Sequence, residues 1–187
     1  WRDYSTSDGD ASESASAASQ VHRVGCFQEG TARHGPAEQR HAIRTTLMAL
    51  IVDTGPLFAA IDRKDEAHEV CAALFDDEEE HFVVPAPVVV ELEWLVAARL
   101  GEGPFDAFLQ SVTDGSVLVE ALETRDYIRI RELLHRYSSL PLGLVDAAVV
   151  AVAERLGERT IATLDRRHFT VVRPKHARAF VLVPHDG

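Results

Sequence analysis

The sequence predicts an α/β fold, a central and mostly parallel β-sheet flanked by helices in three layers, carried by residues 48–187. Three observations point to it. Short runs rich in Val and Ile alternate with longer stretches of helical periodicity, the pattern of strands joined by helical crossovers. Two of those helical stretches stop at a glycine, Gly101 and Gly157, where a left-handed C-terminal cap is wanted. The chain of 187 residues is 46% hydrophobic and 26% charged, enough apolar side chain for one core and too much for a disordered tail.

Residues 1–47 are rich in Ser, Ala, Gly, Gln and His, and their apolar residues are too scattered for either period. A disordered N-terminal extension or leader is expected there, with Met48, the one methionine, as a native start. The segment lacks the unbroken apolar run of a secretory signal, and no stretch of the chain reaches the ~20 apolar residues of a membrane span.

The first strand is expected over 48–52, from the run Met48-Ala49-Leu50-Ile51-Val52. Helices are expected over 56–61, with Pro56 at the first helical position, and over 66–75, before an acidic run at 76–80 expected as a solvated loop. A second strand over 81–84 precedes helices over 87–100 and 104–112. A strand over 117–120 leads to helices over 125–137 and 145–156. Strands over 160–164, 170–172 and 180–183 close the domain. Trp94, Phe105, Phe108 and Tyr127 fall at helical core spacings and are expected to serve packing or dimer contacts.

The chain carries 19 basic against 30 acidic residues, a formal charge of -11, the wrong sign for an ordinary nucleic-acid binder. A polyanionic substrate would have to be met through metal ions or a local basic patch. Cys26 and Cys71 are too few for a disulfide framework, which makes a reducing cytoplasm the simpler compartment.

Four carboxylates sit where charge is expensive. Asp53 ends the first apolar strand, at the edge where open α/β sheets bind ligands, and would also make a good helix N-cap. Glu91 lies among apolar helical neighbours Pro87, Val88, Trp94 and Leu95, but Glu93 has neighbours as apolar, and periodicity does not choose between them. Asp146 opens a helix that is apolar on every side, where an acid also gains from the helix dipole. Asp165 ends a strand with Thr163 on the same face, and is equally a turn former before Arg166-Arg167. A parallel sheet would gather these strand ends and helix starts at one edge. Two carboxylates ~4 Å apart repel by about 4 kcal/mol at an effective dielectric of ~20, so a cluster of them calls for a cation. Oxygen-only ligands select a hard ion, Mg²⁺ or Mn²⁺, suited to phosphodiester hydrolysis.

In order along the chain come Ile-Val-Asp-Thr-Gly-Pro-Leu at 51–57, Val-Pro-Ala-Pro-Val-Val-Val-Glu-Leu at 84–92, Gly-Leu-Val-Asp-Ala-Ala at 143–148 and Ile-Ala-Thr-Leu-Asp-Arg-Arg-His-Phe at 161–169. Together they resemble the PIN-domain ribonucleases, and within them the VapC-type toxins of toxin–antitoxin pairs, over essentially all of 48–187. The resemblance implies a PIN-domain-like α/β/α fold and Mg²⁺-dependent (or Mn²⁺-dependent) endoribonuclease activity. It also implies a homodimer silenced by a VapB-type antitoxin. Residue by residue it implies Asp53 and Asp146 as the main metal ligands, Glu91 rather than Glu93 as the glutamate of the set, and Asp165 as the fourth and most variable acid. Thr54 and Thr163 take the supporting hydroxyl positions.

From Arg166 to Arg178 five basic residues occur with no acid, so Arg166, Arg167, Arg173 and Lys175 are candidate RNA contacts. His168 is expected to be a surface or packing residue. Two other classes compete: a metal-dependent phosphatase or phosphotransfer protein, and a non-catalytic binding module whose acids are merely caps. Position 55 is Gly where a dehalogenase-type phosphatase needs a second Asp, and Val52-Asp53-Thr54 offers one acid where a receiver domain wants a pair.

Overall fold

The computed structural model describes residues 49–76, 81–101 and 103–185. The expectations for residues 1–47, for Met48, for Cys26 and for most of the 76–80 loop lie outside them.

The strands are β1 (Ala49–Val52), β2 (His81–Pro85), β3 (Val117–Glu120), β4 (Thr160–Ala162) and β5 (Val181–Val183). They form one sheet of five strands in the order β3-β2-β1-β4-β5, with every pairing parallel. Seven helices flank it among the described residues: α1 (Thr54–Ile61), α2 (His68–Phe75), α3 (Ala86–Arg99), α4 (Gly103–Asp114), α5 (Thr124–Arg136), α6 (Leu144–Leu156) and α7 (Arg166–Val171). No described helix is long and apolar enough to cross a membrane.

Both faces of a parallel sheet are covered by its crossovers, so its strands become continuous apolar runs rather than alternating ones. All four residues of β1 are buried accordingly. Helix α6 runs through the core, with Ala147 to Ala153 all buried, as its all-round apolar sequence requires. Gly101 and Gly157 take φ of 84° and 80° just past α3 and α6, the left-handed geometry that ends both helices.

Three expectations are corrected. Residues 170–172 belong to α7 and its end, not to a strand. Asp165 caps this helix by accepting the backbone N–H of Arg167, and His168, Phe169 and Val172 turn inward at helical spacing. Helix α1 starts at Thr54, placing Pro56 third in the helix; the Asp53 side chain supplies the N-cap and pulls the start back. Trp94 and Tyr127 are 66% and 57% exposed, which overturns the packing half of the expectation for them and leaves the dimer half, while Phe108 is fully buried and Phe105 half-buried. Cys71 is a buried free thiol whose pKa is pushed up to about 11 by that burial.

Candidate metal centre

The chain order places β2 and β3 on one side of β1, then β4 and β5 on the other. The strand order therefore reverses between β1 and β4. A crevice opens at such a switch point beyond the carboxyl ends of the strands, because the crossovers diverge there. Register fixes what lies in it. Val52 is opposite Ala162, and the N–H of Asp53 donates to Ala162 O at 2.9 Å, so the ladder carries on past β1 and sets Asp53 beside Thr163.

Asp53 is 7% exposed. Its Oδ1 accepts the N–H of Thr54 at 2.8 Å, and its Oδ2 accepts the hydroxyl of Thr163 at 2.8 Å. Burial pushes its pKa up to about 6 against the opposing pull of these two hydrogen bonds, and the charges of Asp146 and Glu91 push the same way. The charges of two carboxylates from two other helices, Asp146 on α6 and Glu91 on α3, thus reach Asp53.

Glu91, on α3, is half-buried and accepts the Thr54 hydroxyl at 2.5 Å, whereas Glu93 is exposed. Of the two glutamates that periodicity could not separate, Glu91 is therefore the one that reaches the residue next to Asp53. Asp146 sits in the first turn of α6, its Oδ2 accepting the N–H of Gly143 at 2.8 Å. A Cβ on Gly143 would come within 3.3 Å of that oxygen, so glycine lets the backbone approach its own helix cap. Asp146 is thereby a helix cap and a member of the cluster at once.

Asp165 stands apart. It turns outward to pair with Arg167, whose N–H groups donate at 3.0 and 2.8 Å, and this holds its carboxyl below the usual range. It stays tied to the site through Thr163, whose Oγ accepts the Asp165 N–H at 3.1 Å. The structure thus joins Asp53, Glu91, Asp146, Thr54 and Thr163, with Asp165 at the rim.

His168 was missed. Its Nδ1 lies 3.2 Å from Asp146 Oδ2 and 4.0 Å from Asp165 Oδ2, and forms a hydrogen bond with neither. The Asp165-x-x-His168 spacing, three residues along a helix, brings both side chains to one end of α7.

The donor set is entirely oxygen and hard. Among the described residues no three His, Cys, Asp or Glu side chains converge tightly enough to enclose a metal by themselves. An all-oxygen donor set suits a hard divalent ion that keeps several waters and takes one or two carboxylates plus substrate phosphate. The N-termini of α1, α6 and α7 all meet the cluster, and their positive dipole ends offset part of the carboxylate repulsion.

Thr163→Val tests the hydroxyl's part. The isosteric side chain fills the same space but leaves Asp53 Oδ2 without its donor. Metal affinity, measured calorimetrically, should fall about 10- to 100-fold with the fold retained; unchanged affinity would show that Thr163 only supports the backbone.

The PIN-domain family model matches residues 50–173, a span holding every residue of this cluster. The chain is similar to Ribonuclease VapC26 of Mycobacterium tuberculosis, 33% identical over 135 residues, which cover 72% of this chain and all of that protein. Its fold is also similar to the crystal structure of Mycobacterium tuberculosis VapC20, a sarcin–ricin-loop-cleaving toxin, at a TM-score of 0.54 and 22% identity, covering 60% of this chain and 87% of that one. The chain belongs to the PIN-domain family, among its VapC-type ribonucleases.

Proposed function

We propose that the chain is a Mg²⁺-dependent (or Mn²⁺-dependent) endoribonuclease that hydrolyses RNA phosphodiester bonds as the toxin of a VapBC pair. The observation that carries this is the buried Asp53 at the sheet's switch point, coupled to Asp146 and Glu91 and pushed up to about 6. A structural cap has no need of two further carboxylates whose charges reach it. The same feature disfavours a plain binding module.

Asp53 and Asp146 would hold the metal, and Glu91 and Asp165 would complete the cage or orient water. When bound, such an ion lowers the pKa of water and screens charge on the phosphoryl oxygens. Thr163 fixes Asp53, Thr54 fixes Glu91, and His168 packs beside Asp146. Three helix N-termini present a field that favours a phosphate.

A VapB-type antitoxin and a second copy of the chain are the proposed protein partners, in the cytoplasm. Beside Glu91 lies a groove of about 770 Å³ whose exposed apolar side chains include Val90, Trp94, Tyr127 and Leu144. Apolar surface of this kind favours a protein partner. Residues 48–187 are proposed as the working domain.

Purified chain is incubated with single-stranded RNA in Mg²⁺, in Mn²⁺ and in EDTA. Cleavage is expected with either metal and none in EDTA. Undiminished cleavage in EDTA, or none with either ion, overturns the proposal.

A further inference from the structure

A cavity of about 750 Å³, lined by none of the clustered carboxylates, runs along β5, the edge strand. Arg159, Arg166, Arg173, Arg178 and His185 line it, and none of the lining residues is acidic. In a chain of formal charge -11, this concentration of one sign is the place where a polyanion is attracted rather than repelled.

Topology connects it to the site. Arg159 precedes β4 and Arg178 precedes β5, so both belong to the amino ends of the strands, and the Arg159 carbonyl accepts the N–H of Val181 at 2.8 Å. His185 follows β5, and Arg166 is the residue after Asp165, so both belong to the carboxyl end where Asp53 and Asp146 sit. The Arg166 guanidinium donates to the carbonyls of Leu182 and Pro184, which fixes this end of the cavity. The basic surface therefore follows the sheet edge from the amino ends of β4 and β5 to their carboxyl ends, the side of the sheet on which Asp53 lies.

Two of the basic residues singled out from sequence are otherwise engaged: Arg167 pairs with Asp165 at 2.8 Å and Lys175 with Glu132 at 2.7 Å. Arg159 and Arg178, one outside that stretch and one at its end, take their place on the path. The cavity's two aromatic residues, Phe169 and Phe180, are 1% and 8% exposed and offer no face for a base to stack on. Guanidinium groups over an apolar floor grip phosphates and do not read bases.

We infer that this cavity is a backbone-phosphate exosite for the RNA flanking the scissile bond, with Arg159 and Arg178 as its outermost contacts. The inference rests on the ribonuclease reading for its ligand. It predicts a contribution to affinity and none to sequence choice.

Binding of a fluorescein-labelled single-stranded RNA is followed by anisotropy in EDTA, where cleavage plays no part. Each phosphate contact contributes a slope of about 0.7 in log K against log salt, about fivefold at ~0.1 M. Arg159→Ala/Arg178→Ala should bind about 25-fold more weakly and flatten the slope by about 1.4, equally for RNAs of unrelated sequence. Arg159→Lys/Arg178→Lys should retain most of the binding, and all three proteins should melt alike. In Mg²⁺ the alanine pair should raise KM on a long RNA with kcat unchanged.

Parental binding and slope in the alanine pair overturn the exosite, as does equal loss in the lysine pair. If the alanine pair loses a polyglutamate peptide and keeps RNA, the cavity docks a protein and the inference falls. A parent that binds RNA through these arginines but cleaves none in either metal leaves the exosite standing and removes the nuclease reading.

Discussion

Asp53→Asn should lower metal-dependent RNA cleavage by about 10³-fold, the equivalent of ~4 kcal/mol of transition-state stabilisation, while making the metal-free protein more stable at neutral pH. The opposite signs have one cause. Asparagine keeps the N-cap oxygen for Thr54 and can still hydrogen-bond Thr163, so the local backbone is preserved. It removes a charge that burial, Asp146 and Glu91 all disfavour.

The pH dependence follows from the direction of the shift. Burial raises the Asp53 pKa in the folded state from 3.8 to about 6, so the folded chain holds this proton more tightly than the unfolded one. The associated stability is fully present below the unfolded value and is lost as pH rises through about 6. At 1.36 kcal/mol per unit, the cost at neutral pH is about 3 kcal/mol. Urea unfolding in EDTA should therefore show the variant gaining on the parent between pH 4 and 6, and exceeding it by about this amount at pH 7. Adding Mg²⁺ should stabilise the parent and leave the variant unmoved. A parent more stable than the variant in EDTA at pH 7 would show that Asp53 is an ordinary structural cap, and cleavage near the parental rate would remove it from the site.

The sheet and most helices were legible because their signals are local. Five of the six expected strands are present, since a buried parallel strand is an apolar run between turn residues whatever surrounds it. Asp53 and Asp146 stood out because each interrupts such a run where a cap belongs. The choice between Glu91 and Glu93 was illegible for a physical reason. Helix α3 is apolar on a face that stays exposed, including Val90 and Trp94, so apolar neighbours no longer mark the buried side. The strand expected over 170–172 was a misreading because the helix that runs through it, 166–171, is too short to show its period, and that helix turns His168 inward toward Asp146. The ion-pair network between α5 and α6 was invisible as well. Arg129 finds Glu154 25 positions away, and Arg155 finds Glu120 35 positions away, separations at which sequence alone carries no pairing information.

That network sets the second large effect: Arg155→Ala should destabilise the fold by about 3–5 kcal/mol, lowering the thermal midpoint by about 10–20 °C. The Arg155 side chain is 5% exposed and its Nε donates to Asp126, itself 2% exposed, at 2.9 Å. Its other groups reach Glu120 at 2.7 Å and the carbonyl of Ala121 at 3.1 Å. One guanidinium thus fastens the end of β3 and the start of α5 to α6, the helix whose first turn holds Asp146. Truncation strands a buried carboxylate, and that uncompensated charge dominates the loss. Arg155→Lys, which keeps the charge but not the fork, should fall between the two. Adding Asp126→Asn to Arg155→Ala removes the stranded charge while retaining an oxygen for the Glu123 N–H, which Asp126 accepts at 2.8 Å. The double variant should therefore be more stable than Arg155→Ala alone, and a double that is weaker by the sum of both single losses would show the two side chains to be uncoupled. Below its lowered midpoint Arg155→Ala should still cleave RNA with parental kcat, because Arg155 positions α6 and touches none of the clustered carboxylates.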